Sequence, residues 1–144
     1  DANGDHLRVW YTKRTHKANV KTLPYPGFPT DMQPQMAVLL SIANGMSILT
    51  ESVWDNRFQY TNELKKLGAN IRIEGRSAII EGVKNLYGCS VNSTDLRGGA
   101  ALIIAGLVAK NITEVHNIEH IERGYEHIDE KLKALGARIE RVQI

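Results

Sequence analysis

KKLGANIRIE (residues 65–74) and KALGARIERV (residues 133–142) are two versions of one phrase: the end of an amphipathic helix, a glycine stop and an alternating segment. Glycine after the last apolar helical position suits a left-handed C-cap. Outward from each phrase the same order of elements recurs. In the first copy, Thr30-Asp31 offers side-chain oxygens for an N-cap, and residues 32–43 place Met36, Leu39, Leu40 and Ala43 at helical spacing before Gly45. SILTESV (residues 47–53) alternates as a strand does. A short helix carrying Tyr60, Leu64 and Leu67 follows Asn56-Arg57, then NIRIE and SAIIEGV form two strands around Gly75 and Arg76.

The second copy starts at Thr94-Asp95, runs through an apolar helix over residues 96–109, turns at Lys110-Asn111 and enters ITEVHNI (residues 112–118) as a strand. Glu122-Arg123 then precedes a helix closing on Leu135-Gly136. Helices alternating with strands predict an α/β fold in which each repeat buries a helical face on its own sheet. Repeats this short pack in groups around a shared core. The expected organisation is a single partial domain: residues 1–22 as the remnant of a preceding repeat, 23–90 as one repeat and 91–144 as another. Each repeat offers an acid at its first helix start, Asp31 or Asp95. Each also offers an arginine before its second helix, Arg57 or Arg123, where free N–H groups and the helix dipole attract anions.

The 144 residues support one real core. Apolar residues at 42% and charged residues at 24% mark an ordinary globular chain, and a net charge of +2 is too balanced to imply a polyanionic partner. One cysteine, Cys89, excludes an intrachain disulfide and fits the cytoplasm, the expected location. The longest apolar runs are far below the roughly 20 residues of a membrane span, so no membrane role is expected. The chain opens on Asp1 rather than Met, and is expected to be a piece of something longer.

YPGFPTDMQPQ, TESVWDNRF, STDLRGGAAL and HIERGYEHIDEKLKALGA, in that order, closely resemble the C-terminal part of the UDP-N-acetylglucosamine enolpyruvyl transferases. The likeness runs from about Leu23 to Val142. It implies an inside-out α/β barrel, helices innermost, built from three βαβαββ units, of which this chain holds about two. It also implies transfer of enolpyruvyl from phosphoenolpyruvate to the 3′-hydroxyl of UDP-N-acetylglucosamine with loss of phosphate, the first committed step of peptidoglycan synthesis, on which cell shape and division depend.

On that resemblance Asp31 is the base facing the sugar hydroxyl, and Arg123 closes on the phosphoenolpyruvate end. Arg57 is a second arginine of the cleft, and Asp95 and Arg97 line the same site. Val53 and Trp54 contact the sugar nucleotide. Each has a plainer reading from local pattern: Asp31 a helix cap, Arg57 and Arg123 solvated arginines, Asp95 and Arg97 a local ion pair, Val53 and Trp54 strand-end core. The stiff Pro-Gly-Phe-Pro approach to Asp31 suits a base that must be held closely. Nothing in the chain matches the family's other domain, which supplies a lysine, a loop cysteine and most nucleotide contacts, so the chain alone is expected to be inactive.

No cofactor or metal is expected. His116 and His120 are four apart, but His116 falls in a predicted strand, where that spacing does not build a site, and His127 does not complete one. Cys89 reads as an inert small residue. RVWYTKRTHKANVK (residues 8–21) interleaves cations with Trp10 and Tyr11, but a solvated face explains it better than a nucleic acid, and none is expected as a partner. An incomplete domain exposes surface that another repeat would cover, so self-association is expected. The rival readings are a non-catalytic repeat module binding a sugar nucleotide or a protein, and the shikimate-pathway enolpyruvyl transferase.

Overall fold

The computed structural model describes residues 2–142. Asp1, Gln143 and Ile144, the outermost residues of the expected repeats, lie outside the described residues. The chain opens with a small antiparallel hairpin, β1 (Ala2–Asn3) against β2 (His6–Leu7). After an extended stretch, β3 (Val20–Lys21), α1 (Gln33–Ser41), β4 (Met46–Thr50), α2 (Thr61–Lys66), β5 (Asn70–Glu74) and β6 (Ser77–Glu81) follow in the order β-α-β-α-β-β. Their strands form one four-stranded sheet in the order β3-β4-β6-β5. β3 lies parallel to β4, as a helical crossover requires, while β6 runs antiparallel to both neighbours. The β5–β6 turn is two residues long, and Gly75 supplies its positive φ of 57°.

A second, shorter set consists of β7 (Ser90–Asn92), α3 (Leu96–Val108), β8 (Glu114–His116), α4 (Glu119–Glu122) and α5 (Ile128–Ala134), with β7 parallel to β8. The expected strand over residues 112–118 is therefore only three residues long. Asn111 and Asn117 bracket it with positive φ, which ends pairing on both sides. Nor do residues 137–142 repeat the strand of NIRIE. A strand needs a partner; NIRIE has SAIIE beside it, whereas residues 137–142 pair with no strand among the described residues. The helix expected after Arg123 starts only at Ile128, as α5, behind a left-handed His127 at φ 49°, and a short helix not expected from the sequence, α4, precedes Arg123.

Alternation along the sheet puts Leu49, Ile71, Ala78 and Ile80 on one buried face. Against it lie α1 and α2, and α1 in turn packs on α3; α1 and α3 are interior elements, whereas α5 buries no residue. On α1 the buried set is Gln33, Pro34, Ala37, Val38, Leu40 and Ser41, while Leu39, expected on the buried stripe, is exposed. On α3 every residue from Gly98 to Ile103 is buried, a pattern that only a helix covered on most sides produces. Small residues make this possible. A Cβ on Gly99 would sit 2.1 Å from Ser93 Oγ and 2.6 Å from Ile121 Cγ1. The two helices pack against each other, and their side chains join Tyr60, Leu64, Leu67, Leu86 and Val91 in one core. No helix among the described residues is long and apolar enough to cross a membrane.

The basic N-terminal run is not wholly a solvated face, as its composition suggests. Arg14 reaches into the fold: its Nε donates to Ile42 O at 2.8 Å, and one Nη donates to Ala43 O at 3.0 Å and Val83 O at 2.8 Å. A cation thereby satisfies carbonyls left open where α1 ends. Cys89 is half-buried, has a free thiol and packs against the core.

Candidate active site

The Pro-rich segment folds back on itself: Gly27 N donates to Pro24 O, and Leu23 N to Phe28 O. It delivers Thr30, Asp31 and Met32 as a single 3-10 turn ahead of α1. Asp31 does not cap that helix; no side chain does. Pro34 stands in the first turn of α1 and has no N–H, so one of the amides a capping carboxylate would accept from is missing. Asp95, the other acid that follows a threonine ahead of a helix, does cap. Its Oδ2 accepts from Arg97 N and Gly98 N, each at 3.2 Å, and α3 has no proline there.

The local ion pair expected between Asp95 and Arg97 does not form. Asp95 holds only the Arg97 backbone, and the Arg97 side chain turns to Asp31, with Nε 2.5 Å from Oδ1. Arg57 approaches the same oxygen at 3.7 Å through Nη1, a buried atom with no hydrogen-bond partner. Asn56, left-handed at φ 54°, turns the chain so that Arg57 points inward, and the Trp54 ring lies 5.7 Å from its guanidinium carbon.

Arg57, Arg97, Arg123, His120, Thr94 and Asp95 share the wall of one open cleft of about 560 Å³. Asp31 is not on that wall but touches two of its arginines. Arg123 is exposed, sits at the C-terminal end of α4 rather than before a helix, and has no ion-pair partner among the described residues. Arg57 likewise precedes a turn, with α2 beginning at Thr61. The helix-dipole argument for these two arginines thus fails, and their cationic character stands on the guanidinium groups alone. Val53 is 37% and Trp54 57% exposed, so neither is a strand-end core residue. Trp54 lines a neighbouring cavity of about 610 Å³ beyond the 54–59 loop, which Val53 does not reach. Among the described residues no cluster of His, Cys, Asp and Glu could hold a metal ion.

Three residues behind the site carried no sign in the sequence of a role there, although Tyr60 was legible as a core position of its helix. Tyr60 is buried and donates its hydroxyl to Gln33 Oε1 at 2.5 Å, pinning the start of α1 to the start of α2. Burial, then the negative charges of Asp95 and Glu51, push the phenol far above its ordinary pKa, so it stays a donor. Gln33 Nε2 is buried without a partner. Glu51, also buried, accepts four hydrogen bonds from three segments of chain. Burial works to raise its pKa, but the bonds from Thr22, Val53, Trp54 and Thr30 together outweigh burial and leave it below the ordinary carboxylate value. Only its contacts in space identify it.

A cleft that gathers three guanidinium groups beside two carboxylates is built for a small, multiply charged anion. Comparison with known proteins agrees with that chemistry. UDP-N-acetylglucosamine 1-carboxyvinyltransferase 2 of Carboxydothermus hydrogenoformans is 62% identical over 142 residues, covering 99% of this chain and 34% of the relative. The similarly named protein 3 of Caldanaerobacter subterraneus subsp. tengcongensis is 58% identical over 139 residues, covering 96% of this chain and 33% of its own length. The chain thus spans about a third of the length of the curated relatives it matches. Among solved structures, the enolpyruvyl transferase NikO from Streptomyces tendae superposes with a TM-score of 0.83 at 30% identity, over 93% of this chain and 31% of that one. The EPSP synthase from Acinetobacter baumannii, 22% identical with a TM-score of 0.67 over 76% of this chain and 27% of its own, shares the fold. The family described as EPSP synthase (3-phosphoshikimate 1-carboxyvinyltransferase) matches residues 2–132, and with the inside-out helical core and the shared enolpyruvyl transferase fold this establishes that the chain belongs to that family.

Proposed function

We propose that the chain forms the Asp31 side of the active site in a cytoplasmic transferase that moves enolpyruvyl from phosphoenolpyruvate to the 3′-hydroxyl of UDP-N-acetylglucosamine, releasing phosphate. The observation that carries the reading is the Asp31 carboxylate held against Arg97 and Arg57 at the edge of a three-arginine cleft. In the addition step, Asp31 takes the proton of the sugar hydroxyl as its oxygen bonds to C2 of phosphoenolpyruvate, while C3 gains a proton, giving a tetrahedral ketal. Loss of a C3 proton and cleavage of the C2–O bond to phosphate then regenerate the enol. Arg57, Arg97 and Arg123 balance the phosphate and carboxylate charge throughout. Asp95 fixes the helix that carries Arg97, while Val53 and Trp54 face the sugar nucleotide. The acid for C3 lies outside this chain, which by itself does not turn over. The relatives' names favour the sugar nucleotide over shikimate 3-phosphate as acceptor.

The test is a chimera in which this chain replaces its counterpart in the Carboxydothermus hydrogenoformans relative, with phosphate release measured on phosphoenolpyruvate and either acceptor. Turnover with UDP-N-acetylglucosamine is expected. Turnover only with shikimate 3-phosphate would reassign the acceptor, and a folded chimera inert with both would refute the reading. Robust turnover by the 144-residue chain alone would contradict its dependence on the rest of the enzyme. Alone, the chain self-associates through apolar side chains such as Ile112 and Leu135, 81% and 85% exposed. A clean monomer in light scattering at high concentration would count against that.

A further inference from the structure

Glu51 is an anion sealed from water, at 2% exposure, with no cation within ion-pair distance among the described residues. Burying such a charge is costly unless hydrogen bonds replace its hydration, and four do. Oε1 accepts from Thr22 Oγ1 at 2.7 Å, Val53 N at 2.9 Å and Trp54 N at 3.1 Å; Oε2 accepts from Thr30 Oγ1 at 2.8 Å. These donors belong to the end of β3, the turn before α1 and the corner after β4. A carboxylate has acceptors only, on both oxygens, so it draws donors from opposite sides without a competing N–H of its own. Its backbone is fixed as well. Glu51 N donates to Arg76 O at 2.8 Å, Arg76 Nε returns a bond to Glu51 O at 3.1 Å, and an Nη of Arg76 holds Asp55 Oδ1 at 2.8 Å.

What the carboxylate joins are the two segments that carry the site. Thr30 immediately precedes Asp31. Val53 and Trp54 begin the corner that Asn56 turns to deliver Arg57. We propose that Glu51 is a positioning residue, a buried latch that sets the Asp31 carboxylate and the Arg57 guanidinium opposite each other before substrate arrives. The proposal rests on the reading of Asp31 as the base and deepens it: Glu51 touches no substrate and acts through Thr30 on one side and the Val53–Trp54 amides on the other. Thr22 ties the latch to the sheet and to the residue before the corner: its N donates to Thr50 O at 2.9 Å, and its Oγ1, besides donating to Glu51, accepts from Ser52 N at 2.9 Å.

The chimera described above separates this role from simple stability. Thr30→Val removes the bond on the Asp31 side and Thr30→Ser keeps it, while Thr22→Val removes the bond to Glu51 from β3 and the one from Ser52 N, leaving the Thr30 bond and the Val53 and Trp54 amides in place. With all variants assayed well below their melting temperatures, Thr30→Val is expected to lower kcat at least ten-fold with KM for UDP-N-acetylglucosamine within two-fold. Thr30→Ser should restore kcat to within about three-fold, and Thr22→Val should lower the melting temperature while leaving kcat within about three-fold. Equal kcat losses for Thr30→Val and Thr22→Val, or no loss for Thr30→Val, would overturn the latch. Asp31→Asn in the same chimera keeps the two claims apart: if it retains activity the base assignment fails, whereas if it abolishes activity and Thr30→Val does not, only the latch fails. In the 144-residue chain, amide exchange at Met32, whose N–H bonds Pro29 O within the Asp31 turn, reads the latch without turnover. Thr30→Val should accelerate it at least ten-fold and Thr22→Val should not; equal protection in the two variants overturns the proposal.

Discussion

Asp31 and Asp95 grip the same residue from opposite sides: Asp95 Oδ2 holds the backbone amide of Arg97, and Asp31 Oδ1 lies 2.5 Å from its side-chain Nε. One acid fixes where α3 begins, and that in turn fixes where the guanidinium that meets the other acid can reach.

Asp95 therefore matters to stability and Asp31 does not. Asp95→Ala should cost about 1 kcal/mol, the usual penalty for losing an N-cap carboxylate, with Asp95→Ser recovering most of it. Asp31→Ala removes a half-exposed ion pair, worth roughly 0–1 kcal/mol. Urea denaturation of the chain measures both, and a larger loss for Asp31→Ala would reverse the assignment of cap and site residue.

Removing the base should be a catalytic lesion only. Asp31→Asn in the chimera is expected to lower kcat by about 10²–10⁴, the range for losing a positioned general base. Affinity for UDP-N-acetylglucosamine, followed by calorimetry, should change little. Activity near that of the parent would leave Asp31 with a purely structural part.

Arg14 holds three carbonyls at the end of α1 and beyond β6. Arg14→Ala strands these acceptors and should destabilise the chain by about 2–3 kcal/mol, the scale of lost bonds to a charged donor. Arg14→Lys should recover only part, because an ammonium cannot reproduce the planar fork. Thermal unfolding decides between them.

Acid should loosen the fold through Glu51 and Glu63. Burial works to raise both, yet hydrogen bonds from Thr22, Val53, Trp54 and Thr30 in one case, and from Lys66 and Asn92 in the other, leave their folded pKa values below the ordinary 4.5. A depressed folded pKa means the stabilisation is fully present above the unfolded value and is lost as pH falls through the folded one. Stability should thus be level with respect to these groups above about pH 4.5 and fall below it. Glu51→Gln should flatten part of that fall when denaturation midpoints are compared from pH 6 down to pH 3. An unchanged slope would show that Glu51 does not titrate with unfolding.

Local chemistry made much of the fold legible. The glycines that end helices at positions 68 and 136, and the one that turns the β5–β6 hairpin, each have positive φ, and no other residue type adopts it as cheaply. The period-two pattern of NIRIE and SAIIE needs only its own side chains to declare a hairpin. The repeat, and with it the family likeness, follows from such signals because each depends on residues a few positions apart. The tertiary structure decided the rest. Whether an acid before a helix is a cap or a site residue turned on Pro34 and on an arginine more than sixty positions away, and the strand expected over residues 112–118 was cut to three residues by the left-handed Asn111 and Asn117. Arg14 and Glu51 have no sequence signature because the partners of Arg14, and the two threonines that join Glu51 to the Asp31 turn and to β3, are distant in the chain. Hydrogen-bond acceptors are satisfied in space, and no periodicity along the backbone records which donor will arrive.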